Sequence, residues 1–280
     1  DIGRFWLEEV GVDGFRMDAA KHIYPDDRAE DNHAFWAEFK SEMEKVNPDV
    51  YIVGEVWADT QTQAPYIEGF SALFNFDLAY NILASINIGQ VNNVKVEGYE
   101  LKEDQTSQSY IQKLISNKAV YDSMNSQYVD AIFLSNHDQN RVMSVLDNDA
   151  DKAKLAASIL FTLPGTPYIY YGEEIGMKGM KPDPNIREPF LWSEENDSLR
   201  AAWMNPVYTT DSTVDALSTQ RGDDGSIFNH YKKWIEVRKA NKALTSGQLM
   251  PFAHPKNGVL LFTRSSSDQQ LLIIHNLTNH

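Results

Sequence analysis

Three carboxylates follow short apolar segments of the chain, and together they could carry out nucleophilic and acid–base chemistry. Asp18 directly follows such a segment, Glu55 follows one after a single residue, and Asp138 follows one after three residues. Glycoside cleavage with retention uses two carboxyl groups about 5–5.5 Å apart, one attacking the sugar and one protonating the leaving oxygen. A third carboxylate can bind sugar hydroxyls and favour a distorted ring. A single Asp after a strand is more often a helix N-cap or a turn residue, so the setting of these acids decides the interpretation.

The neighbours of the three acids favour the chemical interpretation. Arg16 precedes Asp18 by two residues, so in a strand both side chains would point to the same side. An arginine next to a carboxylate keeps that carboxylate ionised. A tryptophan, Trp57, follows the second acid, and a histidine, His137, precedes the third. Three flanked acids on units of one sheet are harder to explain as turn residues than one acid alone.

The hydrophobic pattern predicts a scaffold that brings these distant segments together. Short apolar strands alternate with helices of 3.6-residue periodicity, which is typical of a parallel sheet covered by helices. In such an α/β array the carboxyl ends of the strands lie on one face, so the three acids would converge there. The predicted strands are residues 12–17, 50–53, 73–76, 131–134 and 168–171. The predicted helices are residues 35–46, 152–163, 231–239 and part of 100–128.

The pattern changes in the last part of the chain. Two apolar segments, residues 258–262 and 271–274, flank a Ser-rich turn and predict a hairpin that begins a small antiparallel unit. Residues 176–225 contain many Pro, Asp and Asn residues and predict a long irregular region. Glu173 and Glu174 follow the fifth predicted strand, and we expect them to be acids at a helix N-terminus.

The composition excludes several classes of function. Forty acidic against 25 basic residues give a net charge of −15, which repels phosphate backbones, so no nucleic-acid partner is expected. The absence of cysteine excludes disulfides, thiolate metal sites and a cysteine nucleophile. The longest apolar stretch, residues 156–171, is interrupted by proline and glycine and is too short for a membrane span. The oligomeric state is left open by these features.

The segments around the three acids resemble sequence regions two, three and four of the alpha-amylase family of glycoside hydrolases (family 13). They read GFRMDAAKH at residues 14–22, GEVW at 54–57 and FLSNHD at 133–138, and residues 164–174 are similar as well. The resemblance implies a TIM (β/α)8 barrel followed by an antiparallel β C-terminal domain. This chain would hold about strands four to eight, without the first three. We therefore expect the C-terminal part of the barrel in residues 1–245 and the start of the C-terminal domain, cut short, in residues 246–280.

The resemblance also implies roles for individual residues. Asp18 would be the nucleophile that forms a covalent glycosyl-enzyme, and Glu55 would be the general acid/base. Asp138 would stabilise the distorted transition state, and Arg16 would hold Asp18 charged. The other residues that the resemblance assigns to substrate binding are Lys21, His22, Trp57, Asn136 and His137.

Two further segments bear on the subfamily. Endo-acting alpha-amylases carry a lysine–histidine pair at the position of Lys21 and His22, on the leaving-group side, whereas exo-acting alpha-glucosidases usually lack it. A solvent-exposed lysine and a locally bonded histidine are the plainer alternative, and Trp57 could equally pack at the barrel rim. Residues 187–192 resemble part of an alpha-glucosidase segment, so the subfamily would lie between oligosaccharide-cleaving and starch-cleaving members.

No cofactor is expected for the chemistry itself. In many family members the backbone carbonyl at the His22 position binds calcium, but the other ligands come from a part of the family pattern that precedes these residues. A structural calcium ion is therefore left open, and its ligands would lie mostly outside this chain. No side-chain metal ligand is assigned, because His22 lacks a partner at the spacing of a zinc site.

These features predict a retaining alpha-glycoside hydrolase that cleaves alpha-1,4-glucosidic bonds in starch-like glucans and maltooligosaccharides. One alternative is an alpha-glucosidase or transglycosylase acting on short oligosaccharides. Another is a non-catalytic, amylase-like glucan-binding or transporter-associated domain, and a third is a metal-dependent hydrolase that uses His22 and His137. An extracellular or cell-surface location is expected, with a cytoplasmic one left open. An open barrel would expose inward-facing apolar side chains, which we expect to be Val12, Phe15, Ile52, Phe74 and Ile132.

Overall fold

Five parallel strands form a sheet whose order follows the chain. The computed structural model describes residues 1–91, 106–194, 197–253 and 257–278. The strands are β1 (Gly14–Met17), β2 (Tyr51–Gly54), β3 (Ala72–Leu73), β4 (Ala131–Ile132) and β5 (Thr166–Pro167). β1 pairs with β2, β2 with β3, and β4 with β5. A parallel bridge between Phe74 and Ala131 joins the two groups, so each strand lies beside the next one along the chain.

Helices connect these strands and cover the sheet. The α-helices are α1 (Ile2–Phe5), α2 (Ala29–Glu44), α3 (Thr60–Gln63), α4 (Phe76–Ile88), α5 (Ser107–Met124), α6 (Val142–Val145), α7 (Ala150–Thr162), α8 (Asp183–Ile186), α9 (Leu217–Gln220), α10 (Ile227–Ala240) and α11 (Lys242–Ser246). A π-helix spans Trp6–Val10, and 3₁₀ helices span Ala20–His22, Asp26–Arg28, Ala64–Gly69 and Glu173–Ile175. None of the described helices is long and apolar enough to cross a membrane.

Side-chain caps explain why several helices begin before their apolar periodicity. Asp149 accepts hydrogen bonds from the N–H groups of residues 151 and 152, so α7 starts at Ala150, two residues before the predicted start. Ser226 caps α10 in the same way and moves its start to Ile227. The predicted helical part of residues 100–128 is α5, and residues 100–105 lie outside the described residues. The region 176–225 is irregular apart from α8 and α9, as predicted.

The strands are shorter than the apolar runs that predicted them. The run 73–76 ends early because the Asn75 side chain accepts the Leu78 N–H and caps α4, so Phe76 belongs to a helix. The fifth strand is Thr166–Pro167, and the prediction of residues 168–171 is wrong. Tyr168 still donates its N–H to the Ile132 oxygen at 2.7 Å. The chain then leaves the sheet before Gly172, which has φ 83°.

The two faces of the sheet carry different side chains. Val53, Ala72 and Ala131 form one small cluster with Phe74 and Tyr168 on the inner face. Strand pairing places Arg16 opposite Val53, so Arg16 belongs to the same face.

The prediction that five named apolar residues face inward is correct for one of them. Phe74 lies on the inner face. Val12, Phe15 and Ile52 belong instead to the cluster that contains the helical Trp36, and Ile132 packs in the cluster that includes the apolar side of α7. The physical reason is the two-residue side-chain period of a strand: a neighbour of the inward-facing Arg16, such as Phe15, must face the helices.

A three-stranded antiparallel sheet follows the barrel helices. It consists of β6 (Gln248–Pro251), β7 (Val259–Ser265) and β8 (Gln270–Asn276), in that order. The predicted hairpin is β7–β8, whereas β6, a four-residue segment that ends in proline, was not predicted. Arg264 on β7 donates to the carbonyl oxygens of Thr162 and Gly247 at 2.6 and 2.9 Å, which ties this sheet to the end of α7. The expected boundary at residue 245 falls within α11 and stays a prediction.

Candidate active site

Arg16 joins the acids that follow β1 and β2. Its two terminal nitrogens donate separately, one to an Asp18 carboxylate oxygen and the other to a Glu55 carboxylate oxygen. The Arg16–Asp18 contact is the one that their spacing predicts, whereas the contact to Glu55 has no signal in the local sequence. The Asp18 side chain is 77% exposed and the Glu55 side chain only 11%. The two acids therefore lie on either side of one guanidinium, one in solvent and one nearly buried.

Main-chain hydrogen bonds hold the two strand ends in register. The N–H of Glu55 donates to the Met17 oxygen at 2.9 Å, and the N–H of Ala20 donates to the Glu55 oxygen at 2.8 Å. Between them, Ala19 has φ 41°, a left-handed backbone that turns the chain sharply after Asp18. The turn leaves Asp18 at the strand end, with its side chain on the same face as Arg16.

The third acid lies on a loop that its own neighbours shape. Asn136 accepts the Asp138 N–H on its side-chain oxygen at 2.9 Å, which closes a tight Asx turn. His137 Nε2 lies 3.1 Å from one carboxylate oxygen of Asp138. The other oxygen accepts a hydrogen bond from Arg187 at 2.8 Å. Asn136 therefore has a demonstrable role in loop geometry, and its predicted contact with substrate stays a prediction.

Trp57, which was predicted to bind substrate, lines a cavity beside Asp138. The cavity holds about 300 Å³ and is lined by Trp57 and Asp138 together with Tyr80 and several aliphatic residues of α4. The indole of Trp57 stacks on Phe76, with ring centroids 4.6 Å apart and planes 14° apart. This stacking fixes the orientation of Trp57 at the wall of the cavity. Trp57 thus both packs and lines the space next to Asp138, so the two sequence interpretations are compatible.

Lys21 and His22 lie at the end of the 3₁₀ helix after Asp18. Asn32 donates to the Lys21 backbone oxygen at 2.8 Å, which ties this segment to α2. The His22 ring is 3.9 Å from the Asp26 carboxylate and half exposed. Within the described residues, no hydrogen bond or ion pair joins either side chain to the three acids. The structure therefore places the pair in the segment that follows the strand end of Asp18, and the predicted contact of both side chains with substrate stays a prediction.

The acidic and histidine side chains of the described residues do not gather into a metal site. Among them, no group of three or more Asp, Glu, His or Cys side chains is placed to hold a metal ion. The His22 carbonyl that the resemblance implies as one ligand therefore has no described carboxylate set around it. No step of the chemistry below is assigned to a metal ion.

Glu173 is a buried acid that the sequence interpretation placed at a helix N-terminus. It does begin a 3₁₀ helix, but its side chain is buried and accepts hydrogen bonds from Tyr231 at 2.8 Å and Ser135 at 3.4 Å. Burial raises the pKa of Glu173 to about 8. The expected place at a helix start is therefore confirmed, whereas the burial of the Glu173 side chain has no signal in the local sequence. Because Ser135 begins the loop of Asp138, the hydrogen bond from Ser135 connects Glu173 to the start of that loop.

One functional candidate, Arg187, has no role in the sequence interpretation beyond its place in the segment 187–192. Its guanidinium contacts both Asp138 and the backbone of His137. The irregular region 176–225 contains no periodic signal that could bring a particular side chain to β4. The partial resemblance of residues 187–192 to an alpha-glucosidase segment was the one sign that this stretch lies near a substrate.

Comparisons with known proteins agree with this arrangement. The sequence model of the family described as "Alpha amylase, catalytic domain" matches residues 1–247. The protein named "Alpha-amylase 3" from Dictyoglomus thermophilum is 40% identical over 277 residues, which are 99% of this chain and 52% of that protein. A protein named "4-alpha-glucanotransferase" from Thermotoga neapolitana is 32% identical over 281 residues, covering 98% of this chain and 57% of its own length.

A solved structure gives the same result for the fold. The crystal structure of an alpha-amylase from H. orenii superposes with a TM-score of 0.85 at 37% sequence identity, covering 99% of this chain and 53% of that one. The chain thus spans about half the length of the relatives that it matches. With a family match over nearly the whole of the parallel sheet and its helices, the chain belongs to the alpha-amylase family of glycoside hydrolases, with the TIM-barrel fold.

Proposed function

We propose that the full-length protein is a retaining alpha-glycoside hydrolase that cleaves alpha-1,4-glucosidic bonds in starch-like glucans and maltooligosaccharides. The observation that carries this proposal is the pair of carboxylates, Asp18 and Glu55, bound to two nitrogens of one guanidinium. Retaining enzymes need carboxyl groups about 5–5.5 Å apart, whereas inverting enzymes need about 6.5–9.5 Å. Sharing one small planar group supports the shorter spacing.

In the proposed first step, an Asp18 carboxylate oxygen attacks the anomeric carbon of the sugar. The bond from that carbon to the glycosidic oxygen breaks, and Glu55 donates its proton to the leaving oxygen. The product is a covalent glycosyl-enzyme and a free glucan end. Asp138 faces the positive charge that develops on the ring, and Arg16 donates to Asp18 and so orients the attacking carboxylate.

In the proposed second step, Glu55, now a carboxylate, takes a proton from a water molecule. The water oxygen attacks the anomeric carbon from the face that the leaving group vacated, and the bond to Asp18 breaks. Two inversions give net retention, and Asp18 and Glu55 return to their starting protonation states. These side chains account for every proton in the scheme, so we propose that the chemistry itself needs no cofactor.

The first prediction tests the acid/base role of Glu55. In the full-length protein Glu55→Gln should lower kcat on maltooligosaccharides by at least about 1,000-fold, because the leaving oxygen loses its proton donor. Binding of the oligosaccharide, measured by calorimetry, should persist. Glu44→Gln is the matched control, since this exposed acid pairs with Lys40 on α2. NMR of the first wild-type product should show the alpha anomer, and a beta anomer would contradict the double displacement.

A second candidate function is glucan transfer. It is favoured by the relative named 4-alpha-glucanotransferase, which is 32% identical to this chain. Transfer uses the same glycosyl-enzyme, with a sugar hydroxyl in place of water as the acceptor. Incubating the full-length protein with maltotriose separates the two: hydrolysis gives only shorter products, whereas transfer also gives longer ones. Glucose release from short substrates alone would favour the alpha-glucosidase alternative.

A further inference from the structure

We propose that Arg187 is a positioning residue, whose guanidinium fixes the loop of Asp138 in the geometry that the reaction needs. This inference rests on the proposed function. Arg187 Nη2 donates to the Asp138 carboxylate at 2.8 Å, and Arg187 Nε donates to the His137 backbone oxygen at 2.8 Å. One planar group therefore holds both the side chain of the acid and the main chain next to it.

The backbone on both sides of Arg187 is itself fixed. The Tyr170 hydroxyl donates to the Ile186 oxygen at 3.1 Å, and the Tyr171 hydroxyl donates to the Glu188 oxygen at 2.9 Å. These two tyrosines follow β5 directly, so the end of a barrel strand holds the residues before and after Arg187. Such bonds limit the positions that the guanidinium can reach.

Glu188 anchors the same segment from its other side. Its side chain is buried, and its two oxygens accept the N–H groups of Val207, Tyr208 and Thr209 at 2.6, 2.8 and 2.7 Å. A buried carboxylate is stable only when its oxygens are bonded, and here three backbone donors satisfy it. The segment next to Arg187 is therefore part of the folded interior and not a free surface loop.

Arg141 connects this anchorage back to the loop of Asp138. It lies three residues after Asp138 and is buried. Its guanidinium is 4.6 Å from the ring centre of Tyr170 and 4.8 Å from that of Tyr171, and it donates to the Tyr171 oxygen at 2.7 Å. The chain connects Asp138 to Arg141, Arg141 contacts the two tyrosines, and the tyrosines bind the backbone beside Arg187. Because Arg187 in turn binds Asp138, these contacts form a closed ring.

Removing Arg187 would leave Asp138 with few partners. The remaining contacts are the His137 ring at 3.1 Å and the Asx turn with Asn136. Arg187 also contacts the Asp183 carboxylate at 3.0 Å, and that contact holds the guanidinium on the side of the loop. The acid would then lose its fixed direction, and misplacement by about 1 Å can cost about 100-fold in rate.

The test compares Arg187→Met, Arg187→Lys and Arg187→Ala with wild type in the full-length protein, using maltoheptaose. Arg4→Met is the matched control, because Arg4 also lies between two carboxylates, Glu8 at 3.9 Å and Glu42 at 3.5 Å, but on the surface. For Arg187→Met we expect kcat to fall about 100-fold and KM to change by less than about threefold. For Arg187→Lys we expect a kcat between those of wild type and Arg187→Met, since an ammonium group cannot make both hydrogen bonds in the same geometry. Added guanidinium ion should restore part of the activity of Arg187→Ala.

Each other outcome would overturn the inference in a distinguishable way. If wild type hydrolyses no glucan, the proposed function fails, and the inference fails with it. If wild type is active and Arg187→Met keeps kcat within about threefold, only the positioning role fails. A raised KM with an unchanged kcat would make Arg187 a substrate-binding residue instead. If Arg187→Met does not fold, Arg187→Lys decides, and an unchanged kcat at an unchanged Tm would overturn the role.

Discussion

Arg16 serves two acids whose exposure matches two different tasks. In the proposed mechanism the exposed Asp18 carboxylate has to reach the anomeric carbon of a bound sugar. In the proposed mechanism the nearly buried Glu55 has to deliver a proton to the leaving oxygen. One guanidinium between them fixes their separation, so a single side chain defines the geometry of both steps.

Lys21 provides the second prediction, which concerns the mode of cleavage. If its ammonium group contacts sugars beyond the first leaving-group unit, Lys21→Ala should lower kcat/KM on soluble starch about tenfold. This corresponds to a loss of about 1.4 kcal/mol of transition-state binding. On maltotriose the change should be within about twofold. Wild type should lower the viscosity of starch before much reducing sugar forms. Lys45→Ala, which removes an exposed lysine paired with Glu42, is the control, and glucose as the sole early product would contradict the endo mode.

Glu173 provides the third prediction, which concerns pH. Its pKa is raised by burial from 4.5 to about 8, so between these values the folded protein keeps the proton and the unfolded chain releases it. The free energy of unfolding should therefore fall as pH rises through this window. Glu173→Gln stays neutral and should be more stable than wild type at about pH 8 by a few kcal/mol, but not at about pH 4. Tm of both proteins over this range measures the difference, and parallel Tm curves would contradict it.

Much of the site could be predicted from single residues. There is a definite physical reason why the remaining part could not. The positions of Asp18 and Glu55 at strand ends could be predicted, because each follows a short apolar run in the sequence, whereas Asp138 lies on the loop after β4. The inward-facing residues could have been predicted too, since Arg16 and its neighbour Phe15 cannot share a face. Arg187 could not, because its contact with Asp138 depends on an irregular segment that no periodicity describes.

The carboxyl end of α7 shows how one element joins two parts of the fold. Arg238 on α10 donates to the Phe161 and Leu163 oxygens at 2.6 and 2.9 Å, and Arg264 on β7 donates to the Thr162 oxygen. Two cations thus meet the partial negative charge at a helix C-terminus. The helix α10 is thus fixed to two of three consecutive carbonyl groups, and the antiparallel sheet is fixed to the one between them.

The fourth prediction concerns this helix end. Arg238→Met in the full-length protein should lower the free energy of unfolding by about 3 kcal/mol, because buried carbonyl oxygens lose their donors. Lys239→Met is the control, since this neighbouring residue on α10 is exposed, and it should change stability by less than about 0.5 kcal/mol. Thermal and urea unfolding measure both variants. Equal stabilities of the two would show that water satisfies the carbonyl groups.

Element boundaries were harder to predict than element types. Residues 168–171 are apolar and β-branched or aromatic in a way that favours a strand, yet β5 lies before them. The reason is tertiary: the register with β4 is set by Thr166, whose N–H bonds the Asp130 oxygen at 2.7 Å. The two tyrosines that follow instead contact Arg141 with their rings and the backbone beside Arg187 with their hydroxyl groups. Local propensity cannot distinguish these two uses of a tyrosine pair.

The whole described sheet has two strands that pair on one side only. Within the described residues β1 pairs with β2 alone, and β5 with β4 alone. Closed barrels have no such edges, and unpaired edges favour association between chains. Apolar side chains such as Phe5, Ile169 and Tyr171 are also exposed. The match to only about half of each relative's length fits this open shape.

The fifth prediction follows from these edges. Residues 1–280 expressed alone should be insoluble or lack a cooperative unfolding transition, and should not hydrolyse starch. The open sheet offers too little buried apolar area to offset the ordering entropy of the chain. Size-exclusion chromatography, thermal unfolding and a starch assay test this expectation. A sharp transition together with turnover would show that five strands suffice for a stable active unit.

The order of the strands has a consequence for how the polypeptide acquires its shape during synthesis. Every described strand of the parallel sheet lies beside its successor in the chain, so none has to wait for a partner that the ribosome makes two connections later. Each completed strand–helix unit can add to the growing edge as it emerges, at about 5–20 residues per second. The acid after β1 is thus made first, and the loop that orients Asp138 is complete only after the segment of Arg187 has left the ribosome.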